Sequence, residues 1–207
     1  MNSKVIQLIE GLNVSRETFD NLESYNAELQ RWNPSINLVA RSTLSESWTR
    51  HIIDSAQVFA AAPSSTTWLD IGSGGGFPGM VAAIIGKEMC PKTRFTLMDS
   101  DQRKCTFLRS VIRKADLNAS VECVRVEQAK PHDADVISAR ALADLSTLLG
   151  FCERHLAANG TALLQKGASW ENEVQQAEIE WNFSVEPLKS VTAPKAVLLK
   201  IRDIARV

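Results

Sequence analysis

The stretch "WLDIGSGGGFPGMVAAII", Trp68–Ile85, constrains the fold of this chain more than any other. An apolar run carrying Asp70 ends in a segment where five of the chain's ten glycines fall within eight residues. A helical apolar pattern follows. Gly72, Gly74 and Gly76 complete D-x-G-x-G-x-G, and Gly74, Gly76 and Gly79 also satisfy G-x-G-x-x-G. Such a pattern describes a strand that ends, a sharp turn, and a helix N-terminus with free N–H groups. Without Cβ, glycine adopts positive φ and lets a ligand reach the backbone. Pro78 suits the first helical turn, where a missing N–H costs little.

The rest of the chain continues the alternation. "TWLDIG", "RFTLMDSD", "SVECVRV", "ADVISARA" and "TALLQKG" read as strands. Helices are expected at Met80–Lys87, "QRKCTFLRSVIRKA", "LADLSTLLGFCERHLA" and "SWENEVQQAEIE". The alternation predicts a parallel sheet covered on both faces. "FSVEPLKSV" and "KAVLLKIRD" share only a short connection, so they should pair antiparallel. Before this unit, Phe19, Leu22, Tyr25, Leu29 and Trp32 recur at helical spacing. Asn33-Pro34 is expected to break that helix, and "TLSE" at Thr43–Glu46 to cap the next. The organisation expected is a helical N-terminal extension over 1–62 and an α/β, Rossmann-like domain over 63–207, divided at the polar break Pro63–Thr67.

Composition narrows the function classes. With 23 Lys and Arg against 24 Asp and Glu, the net charge of −1 announces no nucleic-acid partner globally, so such binding requires a local patch. Cys90, Cys105, Cys123 and Cys152 show no C-x-x-C spacing, and His51, His132 and His155 are scattered. No metal site is expected, and reduced cysteines fit the cytoplasm. The first 19 residues lack a signal-peptide pattern, and the longest apolar stretch, Met80–Ile85, is too short for a membrane span.

Two ligands compete for the glycine loop, a dinucleotide and S-adenosylmethionine. Asp70, two residues before Gly72, would face the cationic methionine moiety but would repel a pyrophosphate. Asp99, ending the next strand in "LMDSD", would accept hydrogen bonds from ribose hydroxyls in either ligand. A parallel sheet closed by an antiparallel hairpin resembles the class I methyltransferase fold more than a dehydrogenase, which favours S-adenosylmethionine. Several acceptor chemistries find no support. The strand before Arg140 reads "VISARAL" rather than Asn/Asp-Pro-Pro-Tyr, no cysteine follows a proline, and no base or metal set lies near the loop. An acceptor that is nucleophilic without deprotonation, such as guanine N7, fits these absences.

"NPSINLVAR" (Asn33–Arg41), "RHIIDS" (Arg50–Ser55), "DIGSGGGFPG" (Asp70–Gly79), "LMDSDQRKCTFLRSV" (Leu97–Val111), "VRVEQ" (Val124–Gln128), "ISARALADL" (Ile137–Leu145) and "LLQKG" (Leu163–Gly167) occur together in this order. The combination resembles the bacterial small-subunit ribosomal RNA guanine-N7 methyltransferase family, from about residue 30 to the C-terminus. The resemblance implies methylation of one guanine N7 in 16S ribosomal RNA, with S-adenosylmethionine as cofactor and the RNA or the small subunit as partner. It implies that Gly72 and Phe77 line the cofactor pocket, that Val126 and Glu127 hold the adenine end, and that Arg140 sits beside cofactor and base. Near its end the chain departs from the family, with a shorter segment before the last strand and Lys195 where an arginine is expected.

The complete set of expected cofactor residues is Asp70, Gly72, Gly74, Phe77, Asp99, Val126, Glu127 and Arg140, with Arg140 also the catalytic candidate. Arg50, Arg125 and Lys166 are the expected RNA contacts, whereas Arg103, Arg109 and Arg113 read as a solvated helix face. A cytoplasmic monomer without metal is expected. Three rivals remain open: a small-molecule methyltransferase, a nicotinamide oxidoreductase, and an RNA-binding protein without activity.

Overall fold

The computed structural model describes residues 5–62 and 64–207. Residues 1–4, the start of the stretch read as free of a targeting signal, and Pro63, the start of the expected polar break, lie outside the described residues.

The chain opens on a hairpin, β1 (Ile6–Ile9) and β2 (Leu12–Val14), that the helical reading of this region missed. Gly11 turns it at φ +79°. Helix α1 (Arg16–Ile36) starts at Ser15, whose Oγ accepts from Thr18 N. Contrary to expectation, Asn33-Pro34 does not break it. The helix stops three residues later, where Asn37 adopts the left-handed conformation (φ 48°) and donates to Asn33 O. Asn33 Oδ1 accepts from Val39 N at 2.8 Å, so the side chain before the proline ties down the exit. The expected capping box is also absent. Thr43–Glu46 belongs to a 3-10 turn, Arg41–Glu46, in which Thr43 Oγ1 donates to Ala40 O. A π-helical turn, Trp48–Ile53, then leads into α2 (Asp54–Ala61).

The remaining strands are β3 (Thr67–Ile71), β4 (Arg94–Asp99), β5 (Ala119–Cys123), β6 (Ala134–Arg140), β7 (Leu156–Lys166), β8 (Trp181–Lys189) and β9 (Val197–Arg206). Between them lie α3 (Gly79–Met89), α4 (Gln102–Ala115), α5 (Leu145–His155) and α6 (Trp170–Ala177). Seven strands form one sheet in the order β5-β4-β3-β6-β7-β9-β8. The first five are parallel, and β9 pairs antiparallel with β7 and with β8, the latter as the short final connection predicts. The third strand of the α/β unit ends at Cys123, short of the expected Val126, and Val126–Gln128 forms a 3-10 turn instead.

Strand order reverses between β3 and β6, so the carboxyl ends of these two diverge and leave a crevice. The N-terminal elements close one side of it. Leu22, Tyr25 and Leu29 of α1 share a single buried apolar cluster with Met80, Ile84 and Phe107 of α3 and α4. The other face of the sheet packs Leu145, Leu148 and Leu149 of α5 against Ile71, Ile137 and Leu164.

Candidate active site

The glycine loop takes the shape its sequence demands. Gly72, Gly74 and Gly76 have φ of 65°, 55° and 99°. Gly79 serves a different need, since a Cβ there would fall 2.4 Å from Asp70 Cβ, so its absence lets α3 sit directly on β3. Tyr25 from α1 pins the loop from behind, its buried hydroxyl donating to Gly75 O at 2.5 Å. Tyr25→Phe strands that carbonyl and is expected to cost about 1–2 kcal/mol in denaturant unfolding. The loop is held in front by Asp99, whose Oδ2 accepts from Gly74 N and whose Oδ1 accepts from Asp101 N, both at 2.8 Å.

Three cavities meet at the carboxyl ends of the strands. A cleft of about 660 Å³ is lined by Gly72, Gly74, Phe77, Asp99 and Arg140, with Arg50 and His51 at its N-terminal wall. A smaller space of about 110 Å³ joins Gly72 and Asp99 to Arg125, Val126 and Glu127. Leu142 borders both and packs on Gly72, where a Cβ would meet its Cδ1 at 2.6 Å. A third cavity, of about 370 Å³, lies beyond Arg140 over the ends of β6 and β7. Seven of the eight expected cofactor residues are thus brought together from the ends of β3, β4, β5 and β6.

Asp70 is the exception. It is 1% exposed and lies under the loop, outside all three linings, not at the cleft surface the sequence reading assigned it. Ser138 Oγ donates to its Oδ1 at 2.6 Å, while Oδ2 has no hydrogen-bond partner among the described residues. The Gly79 N–H lies close enough to the carboxylate to favour its charged form. Burial dominates and pushes the carboxyl up to about 6, against the opposing pull of Ser138, Ser73, Gly79 and Arg140.

Arg140 ends β6 half-buried, its guanidinium stacked 4.7 Å from the Phe77 ring centre. Its Nη1 donates to His51 Nδ1 at 2.9 Å and lies 3.4 Å from Arg50 O. Since an arginine only donates, Nδ1 must be the bare nitrogen of His51, and Nε2–H then donates to Thr43 Oγ1 at 3.0 Å. Burial, then Arg140 and Arg50, lower the imidazole to about 4, so it is neutral at pH 7. His51 thereby orients Arg140 and has no free lone pair.

The basic residues separate. Arg50 is exposed at the cleft rim, with Glu46 at 3.5 Å. Arg125 is exposed beside Val126. Lys166 does not stand at the exposed rim expected of a contact with an RNA backbone. It is 8% exposed, 2.6 Å from Glu173, and donates to Ala143 O at 2.8 Å. Its charge is spent fixing the loop after Arg140, because a buried ammonium requires a partner. In the sequence Tyr25 is one position of an apolar helical face, His51 is one of three scattered histidines, and nothing marks Leu142. All three act through contacts distant in sequence that local patterns do not encode.

S-adenosylmethionine fits the residues present. A Cβ at Gly74 would meet only Gly72 O, at 3.8 Å, so the backbone face is open to a ligand. Asp99, with two N–H donors already bound, retains lone pairs for ribose hydroxyls. Gly74→Val places a β-branched side chain at φ 55° and into this open face. Cofactor affinity measured by calorimetry is expected to fall at least about tenfold, consistent with a strain of about 1–2 kcal/mol before steric overlap is counted. Among the described residues no cluster could hold a metal ion, and no helix is long and apolar enough to cross a membrane.

Similarity to known proteins agrees with this geometry. A methyltransferase from Geobacter sulfurreducens matches with a TM-score of 0.59 at 16% identity, over 86% of this chain and 88% of that one. A TehB-like SAM-dependent methyltransferase from Corynebacterium glutamicum matches with a TM-score of 0.58 at 17% identity, over 87% and 98%. These likenesses establish the class I methyltransferase fold. Two sequence relatives carry the name ribosomal RNA small subunit methyltransferase G. One, from a Ruegeria species, is 54% identical over 95% of this chain and 96% of its own. The other, from Cereibacter sphaeroides, is 50% identical over 97% of both. The GidB family profile, described as rRNA small subunit methyltransferase G, matches residues 18–201. With the glycine loop, Asp99, the Val126–Glu127 turn and Arg140 gathered at one crevice, the chain belongs to the rRNA small subunit methyltransferase G family.

Proposed function

We propose that this protein methylates N7 of one guanine in 16S ribosomal RNA, acting as a cytoplasmic monomer with S-adenosylmethionine as methyl donor. Family membership supports the methyl transfer and the RNA class. The observation that carries the acceptor atom is the state of the cleft's imidazole. His51 is neutral, with its ring nitrogens engaged by Arg140 and Thr43, and the lone pairs left on Asp99 face the ribose rather than the acceptor. An exocyclic amine or a hydroxyl acceptor calls for a base at this point. Guanine N7 does not, because its in-plane lone pair carries no proton. When bound, S-adenosylmethionine supplies an electrophilic methyl group on sulfur.

The chain's residues then have to hold and orient. Gly72, Gly74 and Asp99 take the central part of the cofactor, and Val126 and Glu127 take the adenine end. Arg140, rigid between Phe77 and His51, places the incoming base. Arg50 and Arg125 contact RNA phosphates, so binding should weaken as salt rises.

The test is transfer of labelled methyl from S-adenosylmethionine to undermodified 16S RNA and small subunits, followed by nucleoside analysis. The expected product is 7-methylguanosine at one position. Label in any other nucleoside, or a small-molecule acceptor preferred over RNA, overturns the reading.

A further inference from the structure

We infer that the 370 Å³ cavity beyond Arg140 is the seat of the acceptor base, and that Asp54 and Gln165 recognise the base as guanine. The inference rests on the guanine-N7 reading and adds the site and its specificity residues.

Arg140 lines both this cavity and the cofactor cleft, so a group held here lies just across one side chain from the glycine loop. The cavity sits over the carboxyl ends of β6 and β7 and has the size of a small-ligand pocket.

The cavity also presents a pair of neighbouring acceptors, Asp54 and Gln165. Asp54, at the start of α2, holds its carboxylate in a fixed network. Oδ1 accepts from Ser190 Oγ at 3.2 Å and Thr192 Oγ1 at 2.9 Å, and Oδ2 accepts from Gln165 Nε2. A carboxylate offers about four lone-pair sites, so one remains on Oδ2. Beside it, Gln165 Oε1 is buried with no hydrogen-bond partner among the described residues, an arrangement that costs free energy unless something donates to it. Two adjacent acceptors match the adjacent N1–H and N2–H donors of guanine. Adenine presents a bare N1 at that edge, which a carboxylate repels. In guanine O6 lies between this edge and N7. Arg140 is the cross-strand neighbour of Gln165, so a base whose N1 and N2 face Asp54 and Gln165 can bring O6, next along the same edge, beside Arg140 as donor, with N7 following it. The same two contacts thus select the base and aim its nucleophile.

The test compares guanosine with inosine, which lacks only the 2-amino group, at the methylated position, in the RNA or subunit form that the wild type methylates. At saturating S-adenosylmethionine the wild type is expected to prefer guanosine by about tenfold or more in kcat/KM. Gln165→Met, which removes the acceptor for the 2-amino group, and Asp54→Ala, which frees Gln165 by removing the carboxylate that holds its Nε2, are expected to reduce that preference to less than about threefold, with cofactor affinity by calorimetry within about twofold of wild type. Asp54→Ala strands three donors. If it does not fold, Gln165→Met and the wild-type comparison decide the matter. A wild type that methylates inosine as fast as guanosine overturns the pocket while leaving the guanine-N7 reading standing, as does a folded variant with the full preference. A wild type that makes no 7-methylguanosine overturns both.

Discussion

The Arg140→Ala variant is expected to transfer methyl groups about a hundredfold more slowly than wild type while remaining folded. The guanidinium is fixed on three sides, by the Phe77 ring, His51 Nδ1 and Arg50 O. It is a preorganised donor at the wall between the cofactor cleft and the base cavity. Loss of one oriented donor at a reacting group costs about 100- to 1000-fold in kcat. The fold should survive, because Arg140 ends its strand and its partners can bind water in the opened cleft. Arg140→Lys keeps the charge but loses the planar fork, so partial activity is expected. The measurement is single-turnover methyl transfer at saturating cofactor and RNA, beside circular dichroism and cofactor calorimetry. Undiminished transfer in the folded alanine variant would remove Arg140 from the reaction. A loss confined to cofactor affinity would reassign it as a cofactor ligand alone.

How far the sequence announced this arrangement differs from element to element. Helix α4 was read to the residue, because Asp101 caps its start and Asp116 turns left-handed at its end, both local events. The glycine loop was legible for the same reason, since positive φ and close approach are demands that only glycine meets cheaply. The N-terminal hairpin was not, because three- and four-residue strands leave too few positions to show alternation. Asp70 was misplaced because its sequence position marks the strand end but not its face. The strand turns it under α3, where Ser138 meets it from the neighbouring strand. Lys166 was misread because its partner, Glu173, lies on the next helix, and pairing rather than spacing decides whether a lysine is solvated. Asp54 and Gln165 were not singled out because they are 111 residues apart and meet only when α2 packs beside the end of β7.

Asp70 and His51 should oppose each other in the pH dependence of stability, and Asp70→Asn is expected to expose the opposition. The buried Asp70 carboxyl is raised from 3.8 to about 6, so its contribution is fully present below about 3.8 and is lost as pH rises through 6. The His51 imidazole is lowered from 6.5 to about 4, so its contribution is present above 6.5 and is lost as pH falls through 4. Each shift corresponds to about 3 kcal/mol, and both act over nearly the same interval with opposite sign. As acid is added, Asp70 gains what His51 loses, and the pair contributes a nearly level stability between pH 6.5 and 4. The groups facing them account for the signs. Asp70 meets Ser138, Ser73, the Gly79 N–H and, at longer range, Arg140, none of which offsets its burial, while Arg140 and Arg50 add to the burial of His51. Asp70→Asn removes one arm, so its unfolding free energy should fall by about 3 kcal/mol more than that of the wild type over this interval. His51→Gln removes the other, and its stability should rise relative to wild type as pH falls. Urea titrations at pH 4, 5, 6 and 7 measure both. Parallel profiles for all three proteins would mean that the two groups do not titrate as their burial dictates. Because Arg140 is coupled to both, such an outcome would also mean that the floor beneath it is more hydrated than its contacts imply.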